Sequence, residues 1–266
     1  YGTGQLIKDA LDKGCEKLII GLGGSATNDG GMGMVKALGV KFLNDKGKSI
    51  GEGGGALKDL SHIDITELDQ RLSNCEIIVA CDVNNPLTGK NGSSLVFGAQ
   101  KGGDIETLKQ LDKNLSNYAE VIHNDLGKEL RNIPGTGAAG GTAMGLLAFL
   151  EPELKLGIEL IMEELQLEKK IKQANVIFTG EGQIDQQTLN GKTIAGLARL
   201  AKKHNVPVIA LAGKVDHDID QLYEMGITAA FSIVNQPMEL KEAIQNTGKL
   251  IESCVENIFR LIDSDF

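Results

Sequence analysis

Tryptophan is absent from this 266-residue chain, and aromatic residues make up only 4% of it. The core must therefore be built from Ile, Leu, Val and Ala. Positive charge is also short: 27 Lys and Arg stand against 36 Asp and Glu, for a formal net charge of −9. No basic stripe exists to neutralise phosphates, which argues against a nucleic-acid partner. No apolar run approaches the ~18 residues that a bilayer demands, which argues against a membrane span. The four cysteines, Cys15, Cys75, Cys81 and Cys254, show no CxxC spacing. They are expected to be free, buried thiols of a reducing compartment. The first residues carry neither a basic n-region nor an apolar h-region, and the expected location is the cytoplasm. HExxH, GxSxG and Cys/His arrangements are missing, which removes the common zinc and serine-hydrolase readings. His62, His123, His204 and His217 do not cluster in the sequence and read as surface or helix-end residues.

Glycine is what the chain has in abundance: 34 residues, nearly twice the usual share of ~7%. Between the glycine-rich stretches, short Ile- and Val-rich runs alternate with helical patterns, the signature of α/β architecture. Residues 18–22 (LIIGL), 77–83 (IIVACDV), 175–179 (NVIFT), 206–212 (VPVIALA) and 229–234 (AAFSIV) each stop at Gly, Asp or Asn. Runs that are apolar on both faces predict buried parallel strands, with ligand-binding loops at their carboxyl ends. Leu108, Leu111, Leu115, Tyr118, Ile122 and Leu126 form one helical stripe. Residues 188–204 and 240–262 also read as helices, the second interrupted only by Gly248. A change of rhythm and the glycine-rich segment 134–141 predict two domains, 1–133 and 134–266.

Two loops carry most of the candidate chemistry. In the first, GLGGSATNDGGMGM (21–34), Gly21, Gly23 and Ala26 fit the GxGxxA variant of the dinucleotide fingerprint, with Asp45 in the next strand. Gly23, Gly24, Ser25, Thr27, Asn28 and Asp29 could cradle an oxyanion, and Asp29 could hold Mg²⁺. The bland alternative is a tight strand-to-helix turn. The second loop, TGEGQIDQQTLNGKT (179–193), ends in GKT, but Gln186 stands where a Walker A motif needs glycine. Glu181, Asp185, Thr188 and Lys192 remain at a strand end. There a carboxylate could accept a hydroxyl proton while Lys192 neutralises a transferring phosphoryl group. The alternative is a solvated surface loop with a helix start. In CDVNNPLTG (81–89), Asp82 is either a metal ligand or a turn former. In PGTGAAGGTAMG (134–145), Gly137 and Gly140 offer backbone amides that read as unobstructed, forming either a phosphate cradle or a hinge.

Taken in order, YGTGQLIKDALDKG, IIGLGGSATNDGGMGM, CDVNNPLTGKNGSSLVFGAQKG, PGTGAAGGTAMGLLAFL, TGEGQIDQQTLNGKT and VPVIALAGKV resemble the bacterial glycerate kinase family that phosphorylates D-glycerate with ATP. The resemblance covers essentially the whole chain. It implies a two-domain α/β fold, with residues 1–133 as an inserted restriction-endonuclease-like domain and 134–266 as the C-terminal half of a flavodoxin-like domain. It also implies an active site between them, ATP and Mg²⁺ as cofactors, and D-glycerate as the small-molecule substrate. A homodimer is one assembly open to such a protein. The catalytic roles given to Asp185, Glu181 and Lys192 come from chemistry alone. Family members carry a further N-terminal segment with motifs of the form PDSFKGS and DGGEGT, neither of which occurs in this sequence. The second sheet is accordingly expected to have three strands, with Ile and Val exposed near residues 175–179. Two competing readings are an NAD-dependent oxidoreductase, resting on the Gly21–Ala26 fingerprint, and an inactive ligand-binding fragment.

Overall fold

The computed structural model describes residues 1–185, 188 and 192–264, with the backbone alone at Lys192. The chain forms two compact units, Tyr1–Gly157 and Ile158–Phe266. The sequence places the join near residue 134. Residues 134–157 instead pack with the first unit, because its sheet takes its third strand from Glu153–Lys155.

In the first unit, α1 (Gly2–Asp12) leads into β1 (Lys17–Gly21), and α2 (Met32–Ala37) precedes β2 (Lys41–Leu43) and β3 (His62–Asp64). Then follow β4 (Glu76–Ala80), α3 (Ser93–Phe97), α4 (Ile105–Leu126), α5 (Thr142–Phe149) and β5 (Glu153–Lys155). The strand order is β1-β4-β5, all parallel, while β2 and β3 form a separate antiparallel pair. Central β4 buries Ile77, Ile78 and Val79 in succession, as its uninterrupted apolar run predicts. β1 is an edge strand and departs from that expectation, with Ile19 49% exposed. Asp104 caps α4 by accepting the Thr107 N–H at 2.8 Å, and Gly127 ends the helix in the left-handed region. The predicted stripe of α4 places Leu115, Tyr118 and Ile122 in the core, where the Tyr118 ring meets Phe42 edge-on at 5.6 Å.

The second unit contains α6 (Gly157–Glu164), α7 (Leu167–Ile171), β6 (Ile177–Ile184), α8 (Lys192–Lys203), β7 (Val208–Val215) and α9 (Asp220–Met225). It closes with β8 (Ile227–Ser232), α10 (Leu240–Gln245) and α11 (Thr247–Ile262). Three parallel strands run in the order β6-β7-β8. Along β7, Val208, Ala210 and Ala212 pack with Ile194 and Ala198 of α8, while Ile209 and Leu211 pack with Leu250 and Ile258 of α11. Alternate residues face opposite sides of a strand, so helices cover both faces of this sheet. The expected single helix over 240–262 is two, broken at Asn246 rather than at Gly248. Val176, Ile177 and Phe178 are half-buried; the apolar exposure lies instead on the helices, at Leu240 and Ile244. The cysteines are all free, but Cys15 is exposed rather than buried. His62, His123 and His204 each meet a carboxylate away from the candidate loops: Asp125, Glu129 and Glu168.

Candidate active site

Beyond the carboxyl ends of β1 and β4, the first unit opens into a cleft of about 520 Å³. Such strand ends are where parallel α/β sheets hold ligands. Gly23, Gly24 and Ser25 form one wall, Asp82 another, and Gln100 and Lys101 a third. The loop after β1 is held in place by Asp29. Its Oδ1 accepts from the Thr27 hydroxyl at 2.8 Å and the Gly31 N–H at 3.0 Å, and its Oδ2 accepts from the Gly33 N–H at 2.9 Å. Asn28 donates from Nδ2 to the Ser94 hydroxyl at 2.8 Å, tying the loop to the start of α3. The Asn28 Oδ1 and the Ser93 hydroxyl nearby are buried without a hydrogen-bond partner among the described residues.

No sequence motif singles out Lys101, although it lies in the quoted stretch that ends GAQKG. A single 3₁₀ turn, Ala99–Lys101, ending at left-handed Gly102 carries it into the cleft. Its ammonium donates to the Ser25 Oγ at 3.0 Å and to the Thr27 carbonyl at 2.6 Å. Among the described residues, no carboxylate forms an ion pair with it. Burial pulls its pKa below the ordinary lysine value, opposed by the more distant charge of Asp29.

The structure departs from several of these expectations. A dinucleotide fingerprint needs a helix opening directly on its glycines, inside a βαβ unit. Here α2 begins only at Met32, and Asp45 follows β2, which belongs to the antiparallel pair and not to the parallel sheet. The Gly137 amide is not open. The Gly137 N–H is bound to the Asn85 carbonyl at 3.0 Å, and a Cβ there would lie 2.3 Å from the Pro86 oxygen. A Cβ on Gly140, at φ +69°, would lie 2.0 Å from the Thr27 oxygen. Close backbone approach explains why both positions are glycine.

The first part of the second candidate loop, residues 179–184, is strand, since β6 runs on to Ile184. Glu181 is exposed on it, beside a groove of about 850 Å³ that Gln183, Gly213 and Leu240 also line. Asp185 and Thr188 close a reciprocal turn. The Asp185 Oδ1 accepts the Thr188 N–H at 3.2 Å, and the Thr188 Oγ1 accepts the Asp185 N–H at 3.2 Å. Gln183 donates to the other Asp185 oxygen at 3.1 Å. Thr188 is only 3% exposed, and its hydroxyl serves the turn. The side chain of Lys192 lies outside the described residues.

A sequence model of the glycerate kinase family matches residues 1–263. The chain belongs to the glycerate kinase family. It is 49% identical to a glycerate kinase from Halalkalibacterium halodurans over 258 residues, covering 97% of this chain and 68% of that one. Against a glycerate 2-kinase from Escherichia coli the identity is 50% over 257 residues, again covering 97% of this chain and 68% of the relative. The fold matches a crystal structure of a proposed glycerate kinase 2 from Salmonella typhimurium LT2 with a TM-score of 0.84 at 45% identity. That match covers 98% of this chain and 68% of the other. The chain thus spans about two thirds of the length of these glycerate kinase relatives. No helix among the described residues is long and apolar enough to cross a membrane.

The two residues expected to hold Mg²⁺ differ in fitness for it. Both oxygens of Asp29 are engaged by loop donors in the manner of a cap, which suits a structural anchor better than a ligand. Asp82 lines the cleft and accepts the Gly157 N–H at 3.0 Å through Oδ1. No group of three or more His, Cys, Asp or Glu side chains among the described residues could enclose a metal. One carboxylate from the protein is enough for Mg²⁺, which keeps several waters and binds through one or two carboxylates plus substrate phosphates.

Proposed function

We propose that this protein phosphorylates D-glycerate with ATP, using the glycine-lined cleft of the first unit to hold the hydroxy acid. The observation that carries the reading is the family match over residues 1–263, which brings with it every loop that lines the cleft. In the reaction a glycerate hydroxyl oxygen attacks the γ-phosphorus, the bond from phosphorus to the ADP oxygen breaks, and the hydroxyl proton passes to a base. Asp185 and Glu181 are the proposed proton acceptors, and Lys192 the proposed neutraliser of phosphoryl charge. Asp82 is the residue we assign to Mg²⁺, which supplies charge neutralisation on the ATP phosphates when bound. The 2-hydroxyl is the proposed acceptor, in keeping with the 50% identical relative named a glycerate 2-kinase. The finer fold assignment, a restriction-endonuclease-like unit followed by part of a flavodoxin-like one, and a cytoplasmic location are proposed on the resemblance.

A coupled ADP-release assay with D-glycerate and Mg²⁺-ATP, on the protein at its full natural length, tests the reading. Turnover with D-glycerate well above that with glycerol is expected. ADP release that does not respond to D-glycerate would overturn it.

A further inference from the structure

We propose that Lys101, together with the Ser25 hydroxyl it holds, is the group that binds the carboxylate of the substrate. This rests on the reading of the cleft as a hydroxy-acid site. The argument begins with the balance of charge. An ammonium in a half-enclosed cleft is stable when hydrogen bonds and a counter-ion replace its water. Lys101 has two neutral acceptors, Ser25 Oγ and the Thr27 carbonyl, and no carboxylate partner among the described residues. A lysine ammonium carries three N–H donors, so one remains beyond those two bonds.

The Ser25 hydroxyl completes the pair. Its oxygen accepts from Lys101 at 3.0 Å, which leaves its own proton available to a further acceptor. One N–H of an ammonium and one adjacent O–H can satisfy two oxygens of a carboxylate with charge-assisted bonds. Gly23 and Gly24 beside them place no side chain in the way. A substrate anion would supply the charge that the protein leaves out. The selectivity then has a simple form: a neutral analogue leaves the ammonium desolvated and uncompensated, and is rejected.

A plain structural role is the competing explanation, since the bond to the Thr27 carbonyl also ties down the glycine loop. The two are separated by equilibrium titration calorimetry on the full-length protein. The ligands are D-glycerate, its neutral amide glyceramide, and Mg²⁺-ATP. Lys101→Met should weaken D-glycerate binding by roughly 10- to 100-fold, the range for losing a hydrogen bond to a charged group. Glyceramide and ATP affinities should stay within about threefold, and the preference for acid over amide should vanish. Lys101→Arg should retain most of that preference, and Ser25→Ala should reduce it in part. Thermal melts of each variant check folding, and Lys101→Gln replaces Lys101→Met if the latter melts early.

Equal weakening of all three ligands would reduce Lys101 to a loop tie, and unchanged D-glycerate binding in Lys101→Met would overturn the proposal. Failure of the wild-type protein to bind D-glycerate would overturn it as well. Lys101-dependent D-glycerate binding without turnover would instead leave the proposal standing and sink the kinase reading.

Discussion

The ammonium of Lys101 and the hydroxyl of Ser25 meet at 3.0 Å although 76 positions separate them in the chain. That bond joins the loop after β1 to the turn after α3, both of which line one cleft. Its pH dependence follows from burial, which holds the Lys101 pKa below the ordinary lysine value. The ammonium is charged below that pKa and neutral above it. D-glycerate affinity should therefore be level near neutral pH and fall as pH rises, with a midpoint below the ordinary ~10.4. Calorimetry across about pH 7 to 10.5 reads the profile, and Lys101→Arg should shift the loss out of range. A flat profile for the wild-type protein would remove the ammonium from binding.

Gly140 presses against the loop that contains Thr27, with its own N-terminal neighbour Ala139 also at positive φ. Gly140→Ala should destabilise the first unit by about 2–5 kcal/mol, combining left-handed strain with an overlap that backbone must relieve. Gly55→Ala is the control, because a Cβ there meets nothing within 4 Å and φ is not positive. Its effect should stay within about 0.5 kcal/mol. Urea unfolding midpoints for the two variants make the comparison.

The strands and helices were legible where their signals are local. The run Ile77–Val79 announces a central strand because both faces are apolar, and the stripe through Leu115, Tyr118 and Ile122 announces α4 because its period is helical. What could not be read was which distant segments touch. Gly140 beside Thr27, Gly137 beside Pro86 and Lys101 beside Ser25 are pairings fixed by tertiary packing, and no spacing in the sequence encodes them. The same blindness produced the fingerprint at Gly21, Gly23 and Ala26. Its glycines are real, but the helix it requires starts six residues late and β2 joins another sheet. The start of the candidate loop 179–193 is strand for a different reason: its glycines look like loop residues, yet Gly180 and Gly182 lie within β6, a strand at the edge of its sheet.

Asp29 and Asp82 should separate cleanly. Asp29→Ala deprives the Gly31 and Gly33 N–H groups of their acceptor and should cost about 2–4 kcal/mol, read by urea unfolding. Asp29→Asn keeps one oxygen, so it should cost less and leave the Mg²⁺ requirement unchanged. Asp82→Asn should raise the Mg²⁺ concentration for half-maximal rate by roughly 10-fold or more. A raised requirement in Asp29→Asn alone would return the metal to Asp29.

The product distinguishes which hydroxyl is phosphorylated. With the 2-hydroxyl as acceptor, the product should be dehydrated directly to phosphoenolpyruvate by added enolase, without a mutase. Phosphorus NMR of the reaction mixture gives an independent reading. A product that enolase accepts only after mutase treatment would assign the 3-hydroxyl.

Asp185 is the hardest of the proposed groups to judge, because its carboxylate already has work in the turn that Thr188 closes. Asp185→Asn resolves the matter, since the amide keeps an oxygen for the Thr188 N–H while abolishing the capacity to take a proton. Stability should then change by under about 1 kcal/mol. If Asp185 accepts the glycerate proton, kcat should fall by ~10²–10⁴-fold, with substrate affinities little altered. The neighbouring Glu181 is exposed on β6 and caps no helix among the described residues, so Glu181→Gln should leave folding untouched whatever its chemical role. A large kcat loss in Glu181→Gln with none in Asp185→Asn would transfer the base to Glu181 and confine Asp185 to the turn.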